Sequence, residues 1–463
     1  MTAFLERIVT PRSDQLRRED SRKVAMSVVR PLPQRALAER LERDQAISLA
    51  EFHPAEPASW ERKTCRACLK TDLVEVLNLG EQPPSNAFVG TDDLGKPEAR
   101  YPLSLRLCES CGMVQLGHVV PPELLFRSYL FFTSSSKWMG DHFGKLMTDS
   151  AAEFVPPGGL IVEIGSNDGT ALAAIQRRDV RLLGIDPARN ISVMAASRGI
   201  PTIAEFFSEP LANEVVRVAG QAHLIVACNV LGHINDLDDV CSGVRKLLHP
   251  QGAFVIEVPY LVPFVERNEY DTIYHEHLSY FAVRPLQTLM HRHGLHIERV
   301  ELFPVHGGTI RVTVKHGVWT SDEALKWLKQ EEQAGLARRT AYTAMAELTS
   351  RNRVELRARL KQLRDSGAKV LGYGAPAKGT VRLNFCDIGT YLLAEIIDST
   401  PAKQGMHVPG THQYIRPPSA IKEIKPDYLL LLAWNHAPEI LARETEFLAR
   451  GGRFLTPWLE ELK

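Results

Sequence analysis

Two stretches of the chain, "LIVEIGSNDGTALAAI" (160–175) and "KVLGYGAPAKGTVRLNF" (369–385), follow one pattern: an apolar run, a glycine turn, then an amphipathic segment. A buried strand that enters a helix through a glycine turn begins a βαβ unit, where glycine lets the backbone approach a ligand at the strand's carboxyl end. Two such turns, 165–169 and 372–379, direct the chain toward two open, mainly parallel α/β sheets. "VRLLGIDPA", "PTIAEF", "AHLIVACNV" and "GAFVIEVPY" read as further strands of the first unit, mostly separated by helical segments. "LHIERVELFPVHGGTIRVTVKH" reads as two strands around a turn, and 322–363 as a charged helical connector. "LAEIIDST", "PDYLLLLAWN" and "GGRFLTPW" complete the second unit.

Before the first unit the chemistry is different. "CRAC" (Cys65, Cys68) and "CESC" (Cys108, Cys111) are two knuckles joined by turn-rich sequence, and Gly112 after the second suits a tight turn. Each pair brings two thiolates to one ion, so together they predict a tetrahedral zinc site with no position open to water, hence a structural one. Four of seven cysteines in such pairs suit a reducing compartment. Lys+Arg and Asp+Glu each number 55, so no global field favours nucleic acid or an acidic membrane. No apolar run has spanning length, and the N-terminus lacks the apolar core of a signal peptide, so a cytoplasmic protein is expected. Residues 1–60 carry no chemical motif and are expected to form a mobile extension.

The first glycine turn fits one cofactor class better than others. Gly165 and Gly169 open the backbone at the end of the first strand, and Asp186 lies 21 residues after Gly165, at the end of the second. An acidic group there can accept hydrogen bonds from both ribose hydroxyls of an adenosine. The turn is not GxGxxG, so no pyrophosphate contact is called for, and S-adenosylmethionine fits better than NAD. The candidate cofactor contacts are Glu163, Gly165, Ser166, Asn167, Asp168, Gly169, Asp186, and Asn229 in "CNVLGH". His233 follows that fourth strand on the same carboxyl edge.

"YHEHLSYF" (274–281) admits three readings: a metal pair, an aromatic strand with incidental histidines, or a general base. If 274–277 are extended, Tyr274 and Glu276 share one face while His275 and His277 share the other. No third ligand at metal spacing accompanies them. A histidine that titrates near neutrality beside a carboxylate and a phenol suits a base, and that reading is favoured.

Several of these stretches together resemble the sugar C-methyltransferases that act on nucleotide-linked 4-keto-deoxysugars. The likeness runs from Cys65 to the C-terminus through both CxxC pairs, "PPELLFRSYLFFTSSS", "VEIGSNDGTAL", "NVLGHINDLDD", "EVPYLVPFVERNEYDTIYHEHLSYF", "HGGTIRV", "GYGAPAKGTVRLNF" and "PDYLLLLAWN". It implies an α/β protein with an N-terminal zinc-binding domain (61–120), a central Rossmann-like methyltransferase domain (121–320), a helical connector (321–365) and a C-terminal Rossmann-like domain (366–463) for the nucleotide sugar. It also implies His277 as general base, assisted by Tyr274, Glu276 and His233. Lys378 becomes the expected phosphate contact, in a loop shaped by Gly372, Gly374 and Gly379. Tyr373 and Asn384 complete the candidate substrate set. Many relatives carry a tyrosine in the serine-rich stretch where this chain has "FTSSS" (132–136), and Tyr129 is the candidate replacement. Two other functions fit the same scaffold: an O- or N-methyltransferase that needs no enolising base, and a non-catalytic binder of nucleotide sugars.

Overall fold

A computed structural model describes residues 60–126, 132–305 and 307–462. The expectations for residues 1–59 and for Tyr129 lie outside the described residues. The cysteine region contributes β1 (Leu73–Gln82), β2 (Tyr101–Cys108) and β3 (Val114–Leu116), an antiparallel sheet with one knuckle before β1 and the other at the turn from β2 to β3. A helix, α1 (Lys137–Phe154), follows, its start capped by Ser136 accepting from the Met139 amide at 3.4 Å.

The central unit contains β4 (Leu160–Ile164), β5 (Arg181–Ile185), β6 (Thr202–Ile203), β7 (Ala222–Cys228) and β8 (Leu248–Pro259). They are followed by β9 (Ser279–Tyr280), β10 (Leu295–Phe303) and β11 (Thr309–His316). Seven strands form one sheet in the order β10-β11-β8-β7-β4-β5-β6. The sheet is parallel from β6 to β8, and β11 is inserted antiparallel between β8 and β10. Strands such as "LIVEI" are buried on both faces, as a parallel sheet with helices on either side requires.

The remaining strand, β9, belongs elsewhere. It pairs with β3 and extends the cysteine-region sheet to β9-β3-β2-β1. The hydrophobic core is correspondingly continuous: Leu105, Val114 and Leu116 share one cluster with Leu231, Tyr280 and Leu286. The core therefore does not stop near residue 120.

Helices Asp322–Gln333 and α2 (Arg339–Asp365) occupy the charged stretch. The last unit has β12 (Val370–Tyr373), α3 (Ala377–Phe385), β13 (Glu395–Ile397), β14 (Tyr414–Arg416), β15 (Tyr428–Leu431), β16 (Arg453–Leu455) and β17 (Glu461–Leu462). Its order is β14-β13-β12-β15-β16-β17, parallel except for β17. Strands β14 and β17 were not legible: three and two residues long, they carry no periodicity of their own. Among the described residues no helix is long and apolar enough to cross a membrane.

Candidate active site

The four cysteine sulfurs converge, with every pair within 4.8 Å. Cys65 and Cys111 Sγ are 3.5 Å apart, and Cys68 and Cys108 are 3.6 Å apart. A tetrahedron of Zn–S bonds has edges of about 3.8 Å, so the cluster needs almost no movement to hold the ion. Hydrogen bonds from Cys111 and then Cys65 lower the pKa of the Cys108 thiol, the direction a thiolate ligand requires. Donor type, number and spacing all fit zinc, and no ligand position remains for water.

At the carboxyl edge of β4, Gly165 and Gly169 adopt left-handed φ values of 69° and 74°. A side chain at Gly165 would also collide with Val230. Around this turn, Glu163 Oε2, Ser166 Oγ and Asn229 Oδ1 are buried without a hydrogen-bond partner among the described residues. Buried polar atoms are ordinarily paired, so three orphans around one open turn fit a polar ligand such as S-adenosylmethionine. Burial, and secondarily Asp186 and Asp168, push the Glu163 carboxyl well above its usual range, toward a form that can donate. Asp186 accepts from the amides of Asn167 and Ala188, each at 2.9 Å. Each oxygen keeps a second lone pair for a hydroxyl.

Two of the cofactor candidates brace the loop. Asn167 Oδ1 accepts from the Thr133 amide at 2.9 Å, and Asp168 accepts from the Ser134 amide at 3.2 Å while pairing with Arg198 at 3.1 Å. The serine-rich segment thus sits directly on the cofactor turn. Sequence reading missed this contact, because backbone amides leave no trace in residue type.

"YHEHLSYF" is not an extended strand. His277 N–H donates to the Tyr274 carbonyl at 2.8 Å, closing a tight turn over His275 and Glu276. The turn separates the residues that extension would have put together. His275 points away, Nε2 at 3.2 Å from the Tyr101 carbonyl on β2, and burial pushes it down to about 4. His277 instead meets Tyr274, its Nε2 lying 2.6 Å from the phenolic oxygen. His277 Nδ1 is 2.9 Å from the Thr272 carbonyl, which can only accept. Nδ1 therefore carries the proton and Nε2 is the accepting nitrogen, with Tyr274 O–H donating to it.

His233 joins this pair, its ring edge-on to His277 with centroids 5.0 Å apart. Burial pushes His233 down to about 4, so the ring is neutral at physiological pH. Its buried Nδ1 has no partner among the described residues. Glu276 is buried and accepts from Asn86 Nδ2 at 2.6 Å, a residue of the cysteine region with no sequence signal.

The second glycine turn faces the same loop. Gly374 has φ 85°, and a Cβ there would press into Ala433. Gly372 packs against Ile396 and Gly379 against Leu432. Lys378 Nζ lies 4.3 Å from the centre of the Trp434 ring, and burial lowers its pKa, partly countered by Asp271 and Glu269 of the loop before Tyr274. The other two candidates turn elsewhere. Tyr373 enters the core, its hydroxyl 2.5 Å from Glu444 and 2.7 Å from Arg443, because alternation along β12 puts it on the face opposite Gly372. Asn384 is six residues beyond Lys378, about 9 Å along α3, and donates to the Thr380 and Pro409 carbonyls.

Between this unit and the histidine loop lies a buried pair that sequence reading passed over. Arg382 Nε and Nη2 donate to Asp271 at 3.0 and 2.7 Å, and Trp434 Nε1 donates to the same oxygen at 2.9 Å. Arg382 also reaches Tyr270 and Asn352.

Comparison with known proteins bears on all three regions. A zinc binding domain model matches residues 65–126, a methyltransferase domain model 142–300, and a C-methyltransferase C-terminal domain model 304–458. The chain is 37% identical over 400 residues to the C-methyltransferase NovU of Streptomyces niveus, covering 85% of this chain and 94% of that protein. Solved structures are similar only in part. Magnesium protoporphyrin IX methyltransferase from Synechocystis with bound SAH is 13% identical, with TM-score 0.31, over 38% of this chain and 83% of that one. A complex of the Haloferax volcanii Trm112 activator with a methyltransferase gives 14% and 0.32, over 40% and 95%. These structural likenesses are too weak to carry an argument.

Proposed function

The chain belongs to the zinc-containing, S-adenosylmethionine-dependent C-methyltransferases, and from that premise we propose that its acceptor is a carbon beside the keto group of a nucleotide-linked 4-keto-deoxysugar. The observation that carries this reading is the Tyr274–His277–Thr272 arrangement, an imidazole nitrogen fixed as an acceptor with a phenol at its edge. O- and N-acceptors already own a lone pair. A carbon acceptor must first lose a proton, and that is what such a nitrogen does.

His277 Nε2 takes the proton from the carbon next to the carbonyl, leaving an enolate whose negative charge gathers on oxygen. The Tyr274 hydroxyl turns from Nε2 to that oxygen, and a preorganised donor there lowers the barrier. Neutral His233, edge-on to His277, and the buried Glu276 assist the base. S-adenosylmethionine supplies the methyl group as an electrophile: the carbon–carbon bond forms as the sulfur–methyl bond breaks. Glu163, Ser166, Asn229 and Asp186 hold that cofactor at the edge of β4. Zinc, on Cys65, Cys68, Cys108 and Cys111, is structural.

The sugar's handle is assigned to the C-terminal unit. The loop Gly372–Gly379 and the start of α3 face the histidine loop, and Lys378 offers the cation for a diphosphate. Holding acceptor and donor in line from two separate units supplies the positional part of the rate.

The test is mass spectrometry of reactions with S-adenosylmethionine and a panel of dTDP- and GDP-linked 4-keto-6-deoxysugars in heavy water, beside His277→Ala. One methyl gained on carbon, abolished in the variant, is the expected result. Deuterium uptake without methylation would retain the base and leave the donor or the substrate wrong. Methylation on oxygen or nitrogen would overturn the reading.

A further inference from the structure

The zinc knuckle contains a buried cation that is not a ligand. Arg66, the second residue of "CRAC", is 1% exposed. Among the described residues no carboxylate pairs with it. Its Nη1 donates to the Leu116 carbonyl at 3.1 Å and to the Leu278 carbonyl at 3.2 Å, and its Nε donates to Asn235 Oδ1 at 3.3 Å. Leu278 directly follows His277, and Asn235 lies two residues after His233. One guanidinium thus spans the two segments that carry the facing histidines.

We propose that Arg66 is a positioning residue that fixes the His233 and His277 segments relative to each other, and that the metallated knuckle holds it in place. Three observations converge. First, the Leu278 carbonyl is shared: it also accepts from the Leu116 amide at 2.9 Å, beside the β9–β3 pairing of Ser279 with Gln115. The strand leaving the histidine turn is therefore part of the zinc-region sheet. Second, the knuckle is locked onto that sheet by Gln115, which accepts from the Arg66 amide at 2.8 Å and donates to the Thr64 carbonyl at 3.1 Å. Third, charge accounts for burying a guanidinium among neutral carbonyls. Zinc with four thiolates carries a net charge of −2, and Arg66 is bonded directly to Cys65 in the chain. A buried charge needs a counter-charge, and the metal cluster is the one at hand. The planar fork then converts the position of the cluster into the spacing of two loops, which a flexible lysine would not do.

The test uses full-length, zinc-loaded Arg66→Met, Arg66→Lys and Asn235→Ala, with zinc measured in each. Hydrogen exchange is followed by mass spectrometry over 231–236 and 274–280, with β4 and β15 as internal references. In Arg66→Met at full zinc, both segments are expected to exchange about tenfold faster while the references stay unchanged. The turnover number is expected to fall about a hundredfold with KM for S-adenosylmethionine unaltered, and Arg66→Lys to recover only part of it. Unchanged exchange in both segments would overturn the proposal. If Arg66→Met fails to fold or to retain zinc, Asn235→Ala decides. Faster exchange confined to 231–236 supports the bridge, and no change rejects it. The kinetic arm rests on the acceptor proposed above, but the exchange arm needs no acceptor. Loosened loops in a chain that methylates none of the sugars would therefore reject the substrate and keep the role of Arg66.

Discussion

The phenolic oxygen of Tyr274 lies 2.6 Å from Nε2 of His277, across a four-residue turn. Because the other ring nitrogen is committed to the Thr272 carbonyl, this contact singles out the one nitrogen able to accept a proton. Tyr274→Phe should leave the ring in place and remove the donor proposed for the enolate. The expected outcome is a loss in turnover of about 10²–10³ with cofactor affinity intact, read from steady-state kinetics and calorimetry with S-adenosylhomocysteine. An unchanged turnover number would place enolate stabilisation on another group.

Arg382 and Asp271 join the C-terminal unit to the loop before Tyr274, with both side chains essentially buried. Removing one partner of such a pair leaves an isolated buried charge and costs about 3–5 kcal/mol. Arg382→Met should lower the thermal midpoint strongly, and the double variant with Asp271→Leu should recover part of the loss. Scanning calorimetry on the three proteins checks the order. A double variant no more stable than Arg382→Met would mean that lost packing, rather than stranded charge, dominates.

Gly165 combines a left-handed φ of 69° with a neighbour, Val230, that a methyl group would strike. Gly451 has φ 92° but nothing within 4 Å of an added Cβ. Alanine at Gly451 should cost only backbone strain, about 1 kcal/mol, and leave cofactor binding as it was. Alanine at Gly165 should weaken S-adenosylhomocysteine binding by tenfold or more, on the order of 1.4 kcal/mol. Equal affinities in the two variants would show that the turn does not shape the cofactor site.

His275 is pushed down to about 4 by burial in the folded chain. An unfolded histidine titrates near about 6.5, so between those values the unfolded state binds more protons and stability falls as pH drops. The full loss is about 3 kcal/mol, complete near pH 4. Glu269 opposes it: burial, partly offset by Lys378, pushes that carboxyl up to about 7, so it costs stability as pH rises toward 7. The observable is therefore a difference. The stability of the parent chain minus that of His275→Gln should shrink between pH 7 and pH 4 in urea titrations, and a constant difference would argue against a neutral buried His275.

Cys108→Ser removes one of four thiolates from a site that has no spare ligand. Zinc content should drop below one per chain under mild chelation, with a lowered thermal midpoint, since metal binding and folding of a closed site are coupled. Elemental analysis after dialysis against a chelator reads the first effect. Full retention of zinc would require a ligand outside the four cysteines.

What the sequence determined by itself is whatever depends on short range and on residue type. Apolar runs ending in glycine gave away β4 and β12, and CxxC spacing gave away the zinc ligands. An acidic residue at a strand end, Asp186, could be placed beside the glycine turn. These follow from period, backbone freedom and donor chemistry, which are local properties. The tertiary structure decided the rest. Whether "YHEH" is a strand or a turn depends on where β9 docks, and it docks on the zinc-region sheet, which sends His275 to Tyr101 and His277 to Tyr274. Arg66, Asn86 and Arg382 matter through partners 169, 190 and 111 positions away along the chain, and no pattern of neighbours encodes such pairs. Ligand identity was legible because chemistry is carried by side-chain type. The placement of His277 against Tyr274 was not, because it is carried by packing between units.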